Sequence, residues 1–117
     1  MKTIFCDIDG IIFKHFLNID EIISLDPLKS LLPGVKEKFR EWNAQGHKII
    51  LVTGRPSSLR DITQHQIQQA GLFYHSLIMD LPRGDRVIIN DRKRNSQIST
   101  AIGISPPRDE GLIHANA

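Results

Sequence analysis

The sequence predicts an α/β protein with three layers, a Rossmann-like parallel sheet flanked by helices. Three observations carry that expectation. Short β-forming runs alternate with segments of helical periodicity, the pattern of a parallel sheet built by right-handed crossovers. Lys48-Ile49-Ile50-Leu51-Val52 is a continuous apolar run, as strands buried on both faces are. Each such run ends in a polar residue: Asp7 and Asp9, Thr53, Asp80, and Asp91. Functional groups of parallel sheets gather there, where the loops past the strand ends diverge.

Thr3-Ile4-Phe5-Cys6 reads as the first strand, delivering Asp7-Ile8-Asp9-Gly10 at its tip. Two carboxylates one residue apart repel each other, so a fold keeps them for a cation or for separate chemical roles. The segment 11–32 is apolar and partly alternating, and is expected to form a hairpin or flap over that tip. Leu32-Pro33-Gly34 opens a helix in which Val35, Phe39 and Trp42 share a core-facing side, and Gly46 stops it. After the second strand, Pro56-Ser57-Ser58 starts another helix that ends before Gly71. Its apolar face is thin, with Gln66 lying beside Leu59, Ile62 and Ala70. Leu77-Ile78-Met79 is the expected third strand, ending at Asp80. Val87-Ile88-Ile89 is the expected fourth, ending at Asn90-Asp91, and Ala101-Ile102-Gly103-Ile104 a short edge strand.

At 117 residues the chain fits one domain, 1–117, with no room for a separate cap. Net charge is +2, with 24% charged and 40% apolar residues, an ordinary globular composition. The basic residues are dispersed apart from Arg92-Lys93-Arg94, so no nucleic-acid partner is expected. No run approaches the roughly 18 apolar residues of a membrane span, and acids interrupt the N-terminus by Asp7. A single cysteine excludes an internal disulfide and fits a reducing, cytoplasmic setting. Cys6 as the nucleophile of a Cys-x5-Arg loop would need arginine at position 12, where Ile12 stands; a buried small hydrophobe is the expectation. The histidines have no metal-ligand spacing.

Taken together, Asp7-Ile8-Asp9-Gly10, Val52-Thr53-Gly54-Arg55 and Ile88-Ile89-Asn90-Asp91 resemble the first, second and fourth motifs of the haloacid dehalogenase (HAD) superfamily, phosphatase branch. The resemblance runs from residue 3 to about residue 91. It implies a capless Mg²⁺-dependent phosphate monoester hydrolase. Asp7 would be the nucleophile forming an aspartyl phosphate, and Asp9 the general acid and base. Mg²⁺ would be held by Asp7, Asp9 through its carbonyl, and Asp91. Thr53, the Gly54 N–H and Arg55 would bind phosphate. The family's third motif carries a basic residue, usually lysine, but no lysine lies between Lys48 and Lys93. Arg83, with Arg86 as its alternative, is expected in that role. The expected substrate is a small phosphorylated metabolite such as a sugar phosphate. The greasy 11–25 stretch is expected to be covered in a homo-oligomer. Two other functions compete: a non-catalytic phosphate- or metal-binding module of the same fold, and a phosphoacceptor receiver domain using Asp80.

Overall fold

The computed structural model describes residues 1–16 and 18–117. Three parallel strands form one sheet: β1 (Thr3–Asp7), β2 (Lys48–Val52) and β3 (Ser76–Ile78), in the order β1-β2-β3. Phe5 pairs with Ile50, and Asp7 with Val52, so the strand tips are level. Between β1 and β2 lie a short helix α1 (Ile19–Ile23) and α2 (Val35–Ala44). Between β2 and β3 a 3₁₀ turn, Ser57–Leu59, leads into α3 (Arg60–Gln69). This is the expected parallel sheet with flanking helices, consistent with a Rossmann-like arrangement.

Strand alternation sorts the sheet into two unlike faces. Cys6, Ile49, Leu51 and Leu77 are buried with Val35, Phe39 and Trp42 of α2 and Ile67 of α3 in one core. Phe39 and Trp42 pack with ring centroids 5.6 Å apart. On the alternate face Phe5 is 50% and Ile78 43% exposed. Right-handed crossovers in a β1-β2-β3 order put α2 and α3 on the same side, so among the described residues the second helical layer of a three-layer fold is not formed.

The turn after β1 sets up the site. The Ile8 carbonyl accepts from the N–H groups of Ile11, Ile12 and Phe13, and the Gly10 N–H donates to the Phe13 carbonyl at 2.7 Å. Gly10 has φ +89°, where a side chain is strained. The chain thereby doubles back and buries Ile12 and Phe13 completely.

Among the described residues the 11–32 segment does not form a hairpin. Phe13 and Leu31 form one antiparallel bridge, with Lys14 N–H donating to the Ser30 carbonyl and Leu32 N–H to Ile12. That neck closes an excursion carrying α1, whose start is capped by Asn18 accepting from the Glu21 N–H at 2.9 Å. Local caps and turn residues thus override weak strand alternation. Ile12, Phe13 and Leu25 are buried in the chain's own core, while Ile19 and Ile23 stay about half exposed. Leu17, part of the expected flap, lies outside the described residues.

The expected fourth strand at 87–89 and the edge strand at 101–104 are also not formed. Residues 81–106 contain no helix or strand, and Val87, Ile88 and Ile89 are 79%, 48% and 94% exposed. Charged residues flank the 87–89 run on both sides, Asp85-Arg86 before it and Asp91-Arg92 after it. Three apolar residues so bracketed gain little from burial, whatever their propensity. The open stretch shows in the total surface: 7965 Å², against about 6,500 Å² for a compact monomer of this mass. The chain packs against the core again near its end. Leu112 N–H donates to the Pro33 carbonyl at 2.9 Å, Leu112 and Ala115 are buried, and Lys38 Nζ donates to Asn116 Oδ1. No helix of the described residues is long and apolar enough to cross a membrane.

Candidate functional site

Asp7 is accessible at the end of β1, and one of its carboxylate oxygens accepts from the Ile8 N–H at 2.8 Å. Burial of the carboxyl group at this crowded tip is the largest influence on it and raises its pKa; the neighbouring negative charge of Asp9 adds to the rise. The Ile8 hydrogen bond and the charges of Arg86 and His15 act in the opposite direction. No salt bridge holds Asp7 among the described residues.

Asp9 stands in a different environment. Its two oxygens accept from Arg55 Nε at 2.9 Å and Nη2 at 2.8 Å, the bidentate geometry that suits a guanidinium to a carboxylate. The Arg55 side chain is 1% exposed and that of Asp9 18%. Arg55 Nη1 donates to Thr63 Oγ1 at 3.1 Å and to Gln66 Oε1 at 2.7 Å. Thr63 and Gln66 lie three residues apart on α3 and so share a face. The structure therefore places Arg55 inside the domain as a strut for Asp9 rather than on an outer phosphate-facing surface.

Thr53 is buried, its hydroxyl accepting from the Arg55 N–H at 3.0 Å. Gly54 is exposed, and a Cβ there would stand 3.2 Å from the Leu81 carbonyl oxygen. The loops after β2 and β3 are zipped together by Asp80 N–H to the Arg55 carbonyl and Leu81 N–H to Thr53. Asp80, in the left-handed region at φ 63°, accepts from the Ser57 N–H at 2.7 Å. Its carboxylate therefore supports the start of the 3₁₀ turn. Arg83 is exposed; of the two arginines weighed for the third motif, it is Arg86 whose charge reaches Asp7. Arg86 is held over a curled loop by donating to the carbonyls of Pro82 and Gly84.

Asp91 lies in the exposed 81–106 stretch, where its carbonyl accepts from the Thr100 hydroxyl. Among the described residues no three His, Cys, Asp or Glu side chains converge, and the Asp9 carboxylate is engaged by Arg55. A Mg²⁺ site built from three side chains is therefore not formed there; the expected set instead counts the Asp9 backbone carbonyl beside Asp7 and Asp91, which the Arg55 pair leaves free.

Two contributors to the site were not singled out from sequence. The Arg108 side chain lies against Gly10, 3.4 Å from where a Cβ would stand. The adjacent Asp109 accepts from the His15 N–H at 2.7 Å and donates its own N–H to the Gly10 carbonyl. Local sequence carries no address for a contact 94 residues away. Concavities of about 370 and 500 Å³ lie around Phe73 and around Pro107 and His114, the second beside the Arg108-Asp109 turn.

No family model matches the chain, and no curated protein does. Among solved structures, the crystal structure of a target protein from Vibrio cholerae is similar over 77% of this chain and 80% of that one, with a TM-score of 0.56. At 18% identity the likeness is one of fold.

Proposed function

We propose that the chain is a phosphate monoester hydrolase of HAD type acting through Asp7. The observation that carries this reading is the contrast between two neighbouring carboxylates. Asp7 is exposed and in no salt bridge among the described residues, with the charges of Arg86 and His15 acting on it and Arg108 lying against the neighbouring Gly10, whereas Asp9 is locked by Arg55. An anionic nucleophile can approach a phosphate only where cations offset the repulsion. In the first step an Asp7 oxygen bonds to phosphorus and the ester P–O bond breaks. Asp9, released from Arg55 and protonated, gives its proton to the departing alkoxide. In the second step Asp9 takes a proton from water, the water oxygen bonds to phosphorus, and the Asp7–phosphorus bond breaks.

The resemblance also implies Mg²⁺. Asp7, the Asp9 carbonyl and Asp91 would hold the ion and it would offset the phosphate's charge; every step above uses the chain's own residues. A small phosphorylated metabolite such as a sugar phosphate is the substrate class in this reading, supported by basic residues that are dispersed apart from the short Arg92-Lys93-Arg94 triplet. The half-exposed Ile19 and Ile23 support the accompanying proposal of a homo-oligomer. The test is a panel of phosphorylated metabolites with and without Mg²⁺, comparing the native chain with Asp7→Asn. Turnover lost in the variant supports the reading, and equal turnover in both rejects it.

A second reading, a non-catalytic phosphate-binding module, is favoured by the Arg55 pair, which occupies the carboxylate that hydrolysis needs free. Saturable binding of inorganic phosphate without turnover of any panel member would select it.

A further inference from the structure

Gln66 is buried to 2% exposure in the middle of α3, and both ends of its amide are used. Its Oε1 accepts from Arg55 Nη1 at 2.7 Å, and its Nε2 donates to the Ile22 carbonyl at 2.7 Å. Ile22 belongs to α1, a five-residue helix with no buried residue. A helix this short is not stable by itself, so its placement depends on tethers such as the one from Gln66. On its other side Arg55 makes the two-pronged contact with Asp9. Two buried side chains, Gln66 and Arg55, therefore join α1 to the carboxylate at the strand tip.

We infer that Gln66 is a positioning residue that couples the placement of α1 to the orientation of Asp9. If α1 lifts away, the Gln66 amide loses its acceptor in a buried setting and must turn to regain one, which withdraws Oε1 from Arg55. The guanidinium is rigid and planar, so a shift at Nη1 is felt at Nε and Nη2. Conversely, Asp9 leaving Arg55 strands a buried charge, and Gln66 is a neighbour that can follow it. In the proposed reaction Asp9 must leave Arg55 to protonate the leaving oxygen, so movement of α1 and release of the acid become one event. That consequence rests on the hydrolase reading; the mechanical coupling does not.

Amide hydrogen exchange of the substrate-free chain tests the coupling without reference to turnover. The amides to follow are those of Ile22, Ser24 and Leu25, which donate to Asn18, Asp20 and Ile22 carbonyls, with the β2 amides as reference. Gln66→Met should raise exchange at α1 by about tenfold, the equivalent of one lost buried hydrogen bond. Asp9→Asn should raise it about threefold or more in the native background, and by no further factor in the Gln66→Met background. Gln66→Glu keeps an acceptor for Arg55 but loses the donor to Ile22, and serves if the methionine variant fails to fold; it too should loosen α1. Unchanged α1 exchange in Asp9→Asn, purely multiplicative effects in the double variant, or equal acceleration at α1 and β2 would each overturn the inference. Intact coupling in a chain without phosphatase activity would sink only the hydrolase reading.

Discussion

Replacing Arg55 by Met distinguishes an internal strut from a surface phosphate ligand. The substitution keeps much of the apolar stem but removes four hydrogen bonds, two to Asp9 and one each to Thr63 and Gln66. Breaking a buried ion pair by deleting one partner costs about 3–5 kcal/mol. The Asp9 side chain keeps 18% exposure, so water recovers part of its solvation and about 2–3 kcal/mol remains. For a chain of this length each kcal/mol is worth about 4 °C, which gives a melting temperature lower by about 8–12 °C. The assay is thermal or urea unfolding of Arg55→Met, Asp9→Asn and the double variant. Each single change leaves a mismatched partner, so the double variant should lose at least about 1 kcal/mol less than the two losses added. A loss below about 0.5 kcal/mol for Arg55→Met, or strict additivity, would refute the strut. Arg55 would then be a solvated side chain free to meet phosphate.

Three further outcomes are expected. Because the folded environment raises the pKa of Asp7, its ionised form is disfavoured on folding, and its contribution to stability is lost as pH rises through the raised value. Asp7→Asn should hold or raise the melting temperature at neutral pH while lowering turnover of an aryl phosphate by about a thousandfold or more; a clear loss of stability would mean that Asp7 is structural. Cys6 is buried and its thiol pushed up to about 12, so iodoacetamide at mildly alkaline pH should label the native chain only after denaturant is added. Mass spectrometry showing rapid native labelling would place Cys6 at the surface. Gly111 has φ +78°, and a Cβ there would collide with the Pro33 carbonyl oxygen. Gly111→Ala should therefore cost about 2–4 kcal/mol in urea unfolding and expose the amide of Leu112 to exchange.

How much of this was legible in the sequence follows from the distance over which each interaction acts. The strands around Ile4-Phe5, Ile49-Leu51 and Leu77 and the amphipathic face of α2 were readable because apolar periodicity is local. The Asp7-Asp9 tip was readable because strand ends and glycine turns are local too. Val87-Ile88-Ile89 shows the limit. Propensity states which backbone geometry the run would take once paired, but a strand exists only where an edge receives it, and these residues stand exposed between charges. Asp91 follows that run, so its position relative to Asp7 was never a local question. Arg55 shows the same limit in a second form. Its neighbours Thr53 and Gly54 marked a polar strand end, from which either an inward or an outward guanidinium could follow. What decides between them is the pair Thr63 and Gln66, one helical turn apart on the core side of α3. Polar residues on a buried helical face need a buried partner. The thin apolar face around Gln66 was therefore a visible demand for such a partner, and Arg55 is the cation that meets it, holding Asp9 46 residues away.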